Sequence, residues 1–304
     1  MKINDEQPLV SVLMTAYNRE KYITEAIESV LASTYANIEL IIVDDCSTDR
    51  TVELAKRYGE RDDRVRVFVN EENLGDYPNR NKAASYANGK YLKYVDADDL
   101  IYPWGLELLI NMMEQFPDAG WGLCSLEQDL NRPFPFLLAP GDAFRYNYFG
   151  PGLFHKAPLS SIVKNDAFKA VEGFSGKQHV GDHELWHMLA KYFPVVLMPH
   201  GIVWYREHED QQMHSNRTIP QIDFKYTCGA YHFILESKDI PLSKKEKQTI
   251  ITRMKKDIIK LIIIKILKMQ LSLALDFIKM FNDKKYGYKN AVIKNITGIK
   301  EKVH

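Results

Sequence analysis

Short apolar runs alternate with segments of helical period through the first hundred residues. Residues 9–14, 38–43, 65–69 and 91–95 are dense in β-branched and aromatic side chains, which reads as buried strands. Between them the spacing predicts helices over 23–33, with Thr24 as N-cap, from Thr51 onward, and over 78–87. Such alternation implies an α/β fold: a mostly parallel sheet covered by helices on both faces. Two of the strands end in acid, at Val43-Asp44-Asp45 and at Val95-Asp96-Ala97-Asp98-Asp99. Carboxylates at the C-terminal ends of such strands project into a crevice. Asp96 and Asp98 fall on one side of an extended segment, a spacing suited to a hard divalent cation that also holds a diphosphate.

Further on the pattern changes. Residues 126–155 carry Pro133, Pro135, Pro140, Pro151 and the Gly150–Gly152 turn, and read as irregular structure with short strands rather than a helix. That stretch is either an ordered loop packed on the sheet or a wall for an acceptor. A helix over 181–192 and a strand over 195–198 follow. From Ser243 onward the pattern is helical. On a wheel of residues 258–281, Lys265, Lys268, Ser272, Asp276 and Lys279 gather on one side and most Ile, Leu, Met and Phe on the other. The lysines interrupt any uniformly apolar span, which argues against a transmembrane helix. Two readings remain: an interfacial helix on an anionic membrane, or a helix docked on the catalytic domain or on a dimer partner.

Charge sharpens this division. The 304-residue chain is neutral overall, yet residues 241–304 hold 16 Lys and Arg against 5 Asp and Glu. A basic tail on an acidic body points to an anionic lipid or another acidic surface. Nucleic acid is not expected as a partner, because no stacking aromatics are interleaved with the lysines. At 45% hydrophobic content the chain can bury a large core, and we expect one large domain over 1–215 and a helical basic region over 216–304. Three widely spaced cysteines (Cys46, Cys124, Cys228) and no evident signal peptide lead to the expectation of a reduced, cytosolic protein at or near the membrane's inner face.

Five blocks in order resemble the family 2 glycosyltransferases. They are Val10-Ser11-Val12-Leu13-Met14-Thr15-Ala16-Tyr17-Asn18-Arg19; Val43-Asp44-Asp45-Cys46-Ser47-Thr48-Asp49; Asn73-Leu74-Gly75 with Asn79-Arg80-Asn81-Lys82-Ala83; Asp96-Ala97-Asp98-Asp99; and Gly181-Asp182-His183-Glu184-Leu185-Trp186. The resemblance spans roughly residues 9 to 210 and implies the GT-A fold. It also implies an inverting, metal-dependent transfer from a nucleoside-diphosphate sugar, with UDP expected, to a saccharide or lipid-linked hydroxyl acceptor in surface polysaccharide or glycolipid synthesis. One departure stands out: the family usually has Glu before the catalytic Asp, and this chain has Gly181. That puts the hydrogen-bonded support of Asp182 in question, and a nucleotide-sugar-binding module without turnover is the alternative.

Under this resemblance Thr15, Tyr17 and Asn18 form the nucleotide loop, with Tyr17 the stacking candidate. Asp44 would accept from the uracil N–H, or else cap the next helix alongside Ser47 or Asp49. Asn73, Gly75 and Arg80 would frame the diphosphate, with the Arg80 fork on a phosphate oxygen. Asp98 is expected to ligate Mn²⁺ or Mg²⁺, and Asp96 to contact ribose or a metal-bound water. Tyr205-Arg206-Glu207-His208 is similar to a Tyr-Arg-x-His element, which brings His208 to the diphosphate or metal and Arg206 nearby. Asp182 would be the base that takes the acceptor's proton, and Trp186 a core anchor or a wall of the sugar site. One literal coincidence competes: His183-Glu184-Leu185-Trp186-His187 is a His-Glu-x-x-His zinc-hydrolase motif, for which Glu207 or Glu209 could add a ligand.

Overall fold

An eight-stranded sheet organises the chain, seen in a computed structural model that describes residues 7–208 and 220–288. Its first half is parallel: β1 (Val10–Ala16), β2 (Ile38–Asp44), β3 (Val65–Val69) and β4 (Tyr91–Tyr94) lie in the order β3-β2-β1-β4. All seven β2 residues are buried, as expected of a strand covered on both faces. Along β1 the pleat divides the core: Val12 and Met14 pack in the layer of α1 (Ile23–Leu31), whereas Leu13 faces α3 (Asp76–Ser85). Between these two helices comes α2 (Thr51–Gly59).

The second half of the sheet is mixed. A two-residue strand, β5 (Leu100–Ile101), and α4 (Gly105–Glu114) precede β6 (Trp121–Leu126), β7 (Phe136–Leu138), α5 (Pro140–Phe149), β8 (Ser161–Lys164) and α6 (Asn165–Ala170). Then come α7 (Gly181–Tyr192) and β9 (Val195–Pro199). Strand β8 runs antiparallel to both β4 and β6, and β9 is parallel to β6 but antiparallel to β7. A short strand, β10 (Val203–Trp204), leaves this sheet and pairs antiparallel with β5, Trp204 opposite Leu100. That ribbon carries residues 205–208 back to the acidic step at the end of β4.

Three expectations need correction. Residues 140–149 form a helix where irregular structure was expected, because Pro140 occupies the first turn, where its missing N–H is no loss. Thr24 does not cap α1; its N-cap is Tyr22, and no side chain caps the helix. The single wheel drawn over 258–281 is two helices, α9 (Lys244–Leu267) and α10 (Leu271–Asn282), parted by Met269 at φ 57°. Helix α9 starts at a capping box of Ser243 and Glu246, and is preceded by α8 (Pro220–Glu236).

These helices dock. Ile250, Met254, Ile258 and Ile262 of α9, with Phe277 and Met280 of α10, are buried in one cluster with Leu185 and Leu189 of α7. Phe224 of α8 stacks on Phe277 with centroids 3.9 Å apart. A second stripe stays exposed: Ile259, Ile263, Ile266 and Leu267 on α9, then Met269 in the turn, then Leu271, Leu275 and Ile278 on α10. Among the described residues no helix is long and apolar enough to cross a membrane. The end of the basic tail (289–304) and the expected boundary at 215/216 lie outside the described residues.

Candidate active site

Strands β1, β2 and β4 release the chain at the same edge of the sheet, and a cleft of about 1080 Å³ opens there. Thr15, Tyr17, Asn18, Asn73, Gly75, Arg80, Asp96, Asp98 and Asp182 all line it. Segments far apart in sequence thus converge on one cleft. Asp44 does not reach the wall: it is buried, and its carboxylate accepts from the Ser47 amide at 2.8 Å and the Ser47 hydroxyl at 2.5 Å. Burial, opposed by these bonds, holds its carboxyl above the usual range. Its neighbour Asp45 instead fixes the Asn-x-Gly loop. It accepts from the Leu74 and Gly75 amides, both at 2.8 Å, and from Asn70 Nδ2. Gly75 sits at φ 84° as N-cap of α3, a left-handed turn that a side chain would strain.

Tyr17 is half exposed at the cleft mouth, open to a planar base. Asn18, at φ 52°, donates its backbone N–H to Ser47 Oγ and accepts from the Thr48 amide, locking the first loop onto the second. Asn73 braces the loop from within, Nδ2 to the Asp45 carbonyl.

The acidic step is held by three arginines and a histidine. Arg80 is buried and forks Asp96, Nη1 to Oδ1 at 2.6 Å and Nη2 to Oδ2 at 3.0 Å, while its Nε donates to Asp76 Oδ1 at 2.7 Å. Its fork therefore serves carboxylates and not the phosphate oxygen that was expected. The reason is local: Asp76 stands one helical turn before it, and β4 ends against α3. Arg19 Nε donates to Asp98 Oδ2 at 2.8 Å, and His208 Nε2 lies 3.1 Å from the same oxygen. Arg206 donates its amide to Asp99 Oδ1 and its Nε to the Asp98 carbonyl, each at 2.9 Å, with Glu25 on its other end. Burial, then the charge of Asp96, pushes the Asp99 carboxyl up to about 8.

This donor set fits a cation. Asp98 and His208 present an oxygen and an imidazole nitrogen at one point, and crowded carboxylates gain from an added positive charge. No group of three or more His, Cys, Asp or Glu suited to a metal occurs among the described residues.

Asp182, in the first turn of α7, faces the cleft from the other half of the molecule. Its Oδ1 accepts from the Tyr77 hydroxyl at 3.1 Å and the His183 amide at 2.7 Å. Burial lifts its carboxyl to about 6; those two bonds pull it back, and the charge of Asp76 adds to the rise. A carboxylate tuned this way suits proton abstraction near neutral pH. Trp186 is a core anchor: it stacks on Trp121 at 5.4 Å and donates Nε1–H to the Lys156 carbonyl.

The zinc-hydrolase motif is built otherwise. His183 Nδ1 is paired with the Tyr288 hydroxyl, and His187 Nε2 lies 2.5 Å from the Tyr148 hydroxyl. Glu184 bonds the Ser175 hydroxyl and the Lys177 ammonium. Burial drives His183 well down and His187 to about 4, so both stay neutral, His187 among Phe154, Phe233 and Tyr288 and His183 beside Tyr226 and Tyr288. These residues tie α7 to the C-terminal helices. Glu209 lies outside the described residues.

Sequence reasoning missed Arg19 and Tyr77. Arg19 adjoins Asn18 in the first loop, a usable signal; Tyr77, between Gly75 and Arg80, reads in sequence as an ordinary core aromatic.

The chain belongs to glycosyl transferase family 2, whose sequence profile matches residues 11–171. An uncharacterized glycosyltransferase of Rickettsia typhi is 40% identical over 233 residues, 73% of this chain and 71% of its own length. The chain spans half or less of two other curated relatives it matches: 50% of an uncharacterized glycosyltransferase of Haemophilus influenzae, and 37% of the putative teichuronic acid biosynthesis glycosyltransferase TuaG of Bacillus subtilis. Among solved structures, S. aureus TarS 1-349 in complex with UDP-GlcNAc is similar with a TM-score of 0.63 at 21% identity, over 81% of this chain and 71% of that one. The mannosyltransferase PcManGT of Pyrobaculum calidifontis, in complex with GDP-Man and Mn²⁺, gives 0.60 at 16% identity, over 93% and 85%. At these identities the likeness establishes the shared GT-A fold.

Proposed function

We propose that this chain transfers a glycosyl unit from a nucleoside-diphosphate sugar, with UDP as the nucleotide, to a hydroxyl acceptor, with inversion at the anomeric carbon. The observation that carries the reading is one cleft that Asp96, Asp98 and Asp182 all line, with Asp182 tuned to about 6. Tyr17 would stack the base, and Thr15, Asn18, Asn73 and Gly75 would shape the nucleotide side. Asp44 reads uracil only if the Ser47 turn opens. Arg19 and Arg80 supply positive charge beside the diphosphate, Arg80 by holding Asp96 in place. Asp98, with His208, would hold Mn²⁺ or Mg²⁺, and Arg206 would fix the segment that carries His208. Such an ion, when bound, neutralises charge gathering on the departing diphosphate. Asp182 takes the acceptor hydroxyl's proton as that oxygen attacks opposite the diphosphate. A binding module without turnover was favoured only by Gly181; the Tyr77 bond to Asp182 weighs against it.

The acceptor is proposed to be a saccharide or a lipid-linked intermediate, met at the inner face of the membrane. The exposed stripe of α9 and α10 supports this location. Leu267 and Met269 are more than three-quarters exposed at the hairpin tip, flanked by Lys265 and Lys268. Lysine is depleted at protein interfaces, and isologous pairing of two copies would set these lysines against one another. An anionic lipid surface accepts both the apolar tip and its charges.

A thermal-shift panel of UDP, GDP and TDP, with and without Mn²⁺, tests the donor half. The reading expects the largest stabilisation from UDP and a clear increase with Mn²⁺; no response to any of the three would overturn it.

A further inference from the structure

Gly181 and Tyr77 meet in a way that explains how this chain supports Asp182. A Cβ built on Gly181 would stand 2.7 Å from the Cγ and Cδ2 of the Tyr77 ring, well inside van der Waals contact. Those are the stiff inner atoms of a buried ring that also packs against Phe174 at 5.1 Å between centroids, which leaves it little room to retreat. Because residue 181 has no side chain, Tyr77 lies over the start of α7 and carries its hydroxyl to Asp182 Oδ1. The two features are one device.

We infer that Tyr77 is the positioning residue for Asp182, and that Gly181 is the steric opening that admits it. The inference rests on Asp182 being the base. A side chain at 181 and an aromatic ring at 77 exclude one another, so support comes either from within α7 or, as here, from α3. Tyr77 suits the task. Burial and the charges of Asp182 and Asp76 hold its phenol well above 10, so it remains a donor wherever Asp182 is ionised. Asp182 also faces Asp76 and Arg80 on α3, Tyr226 on α8 and Tyr288 beyond α10, and these set the background on which the Tyr77 bond acts.

Tyr77→Phe keeps the ring and removes the donor. A carbon-13 carboxyl titration of the full chain, with the Asp182 signal assigned by its loss in Asp182→Asn, reads the contact without a substrate. The Asp182 midpoint should rise by about one pH unit, because the lost bond favoured the charged form. An unmoved midpoint in a folded Tyr77→Phe protein overturns the inference. The steric half has its own readout. Gly181→Ala should lower Tm by several degrees beside Tyr77, and by far less in a Tyr77→Ala background. Equal losses in both backgrounds would overturn it. If instead Asp182→Asn kept full turnover, the base assignment would fail while the titration still reported on the contact.

Discussion

The acidic edge of the parallel half-sheet and the α9–α10 hairpin hold charge in opposite ways. At the sheet edge Arg80, Arg19 and His208 lie within 3.1 Å of carboxylate oxygens, and the Arg80 side chain is only 8% exposed. Along the hairpin Lys260, Lys268 and Lys279 stand exposed beside exposed Ile, Leu and Met. The first arrangement fixes charges before any ligand arrives, which suits a compact anion and its cation. The second fixes nothing and suits a soft, extended surface. A substitution should therefore act through geometry at the edge, and through summed charge and area at the hairpin.

The largest effect is expected at the edge. Asp98→Asn should abolish turnover and erase the Mn²⁺-dependent part of UDP affinity in calorimetric titration; affinity that stays equally metal-dependent would move the ion elsewhere. Arg80→Met comes next, because it strands Asp76 and Asp96 beside a buried apolar chain. Removing one partner of a buried pair costs about 3 kcal/mol, to be read by urea unfolding. Lys268→Met, by contrast, should change stability by less than about 0.5 kcal/mol. Comparable losses from both would erase the distinction.

Two smaller effects sharpen it. Replacing Leu267, Met269 and Leu271 together by Ser should leave Tm nearly unchanged and release the protein from vesicles of anionic lipid in flotation. Binding of the native chain should weaken with salt as its lysines are screened. A native chain that stays off the vesicles but dimerises would assign the stripe to a second copy. The pH response at Asp182 is subtler. Its folded-state value, about 6, lies above the ordinary 3.8, so whatever stability it contributes is present at low pH and is lost as pH rises through 6. Asp182→Asn should accordingly be no less stable than the native chain at pH 8. Turnover has the opposite sense: it should fall as the pH drops through about 6 and the base is protonated.

The two regions were unequally legible. The strands leading to Asp44 and Asp96 could be read because buried parallel strands are mostly apolar runs, broken here only by Glu39 and Lys93, and the acid that follows marks the crevice. Helix α7 was found at its full length, 181–192. The partners of each charge were not legible. That Arg80 would fork Asp96, or that Ser47 would close Asp44, depends on which elements the sheet brings together. The antiparallel placement of β8, which makes the second half of the sheet mixed, leaves no periodic trace in four residues. At the hairpin, amphipathicity was visible, but a wheel shows only one apolar face. Docking uses Ile250, Met254, Ile258 and Ile262, and the remaining Ile259, Ile263 and Ile266 emerge only once that face is covered.

The central proposal is that Asp182, which lines the same cleft as Asp98, takes the acceptor's proton. Single-turnover kinetics of Asp182→Asn, beside its affinity for the donor, test it most directly. The account predicts donor affinity within a few fold of the native chain and a rate lower by about two to four orders of magnitude. A variant that turns over at the native rate, or that loses donor affinity in step with rate, would contradict it.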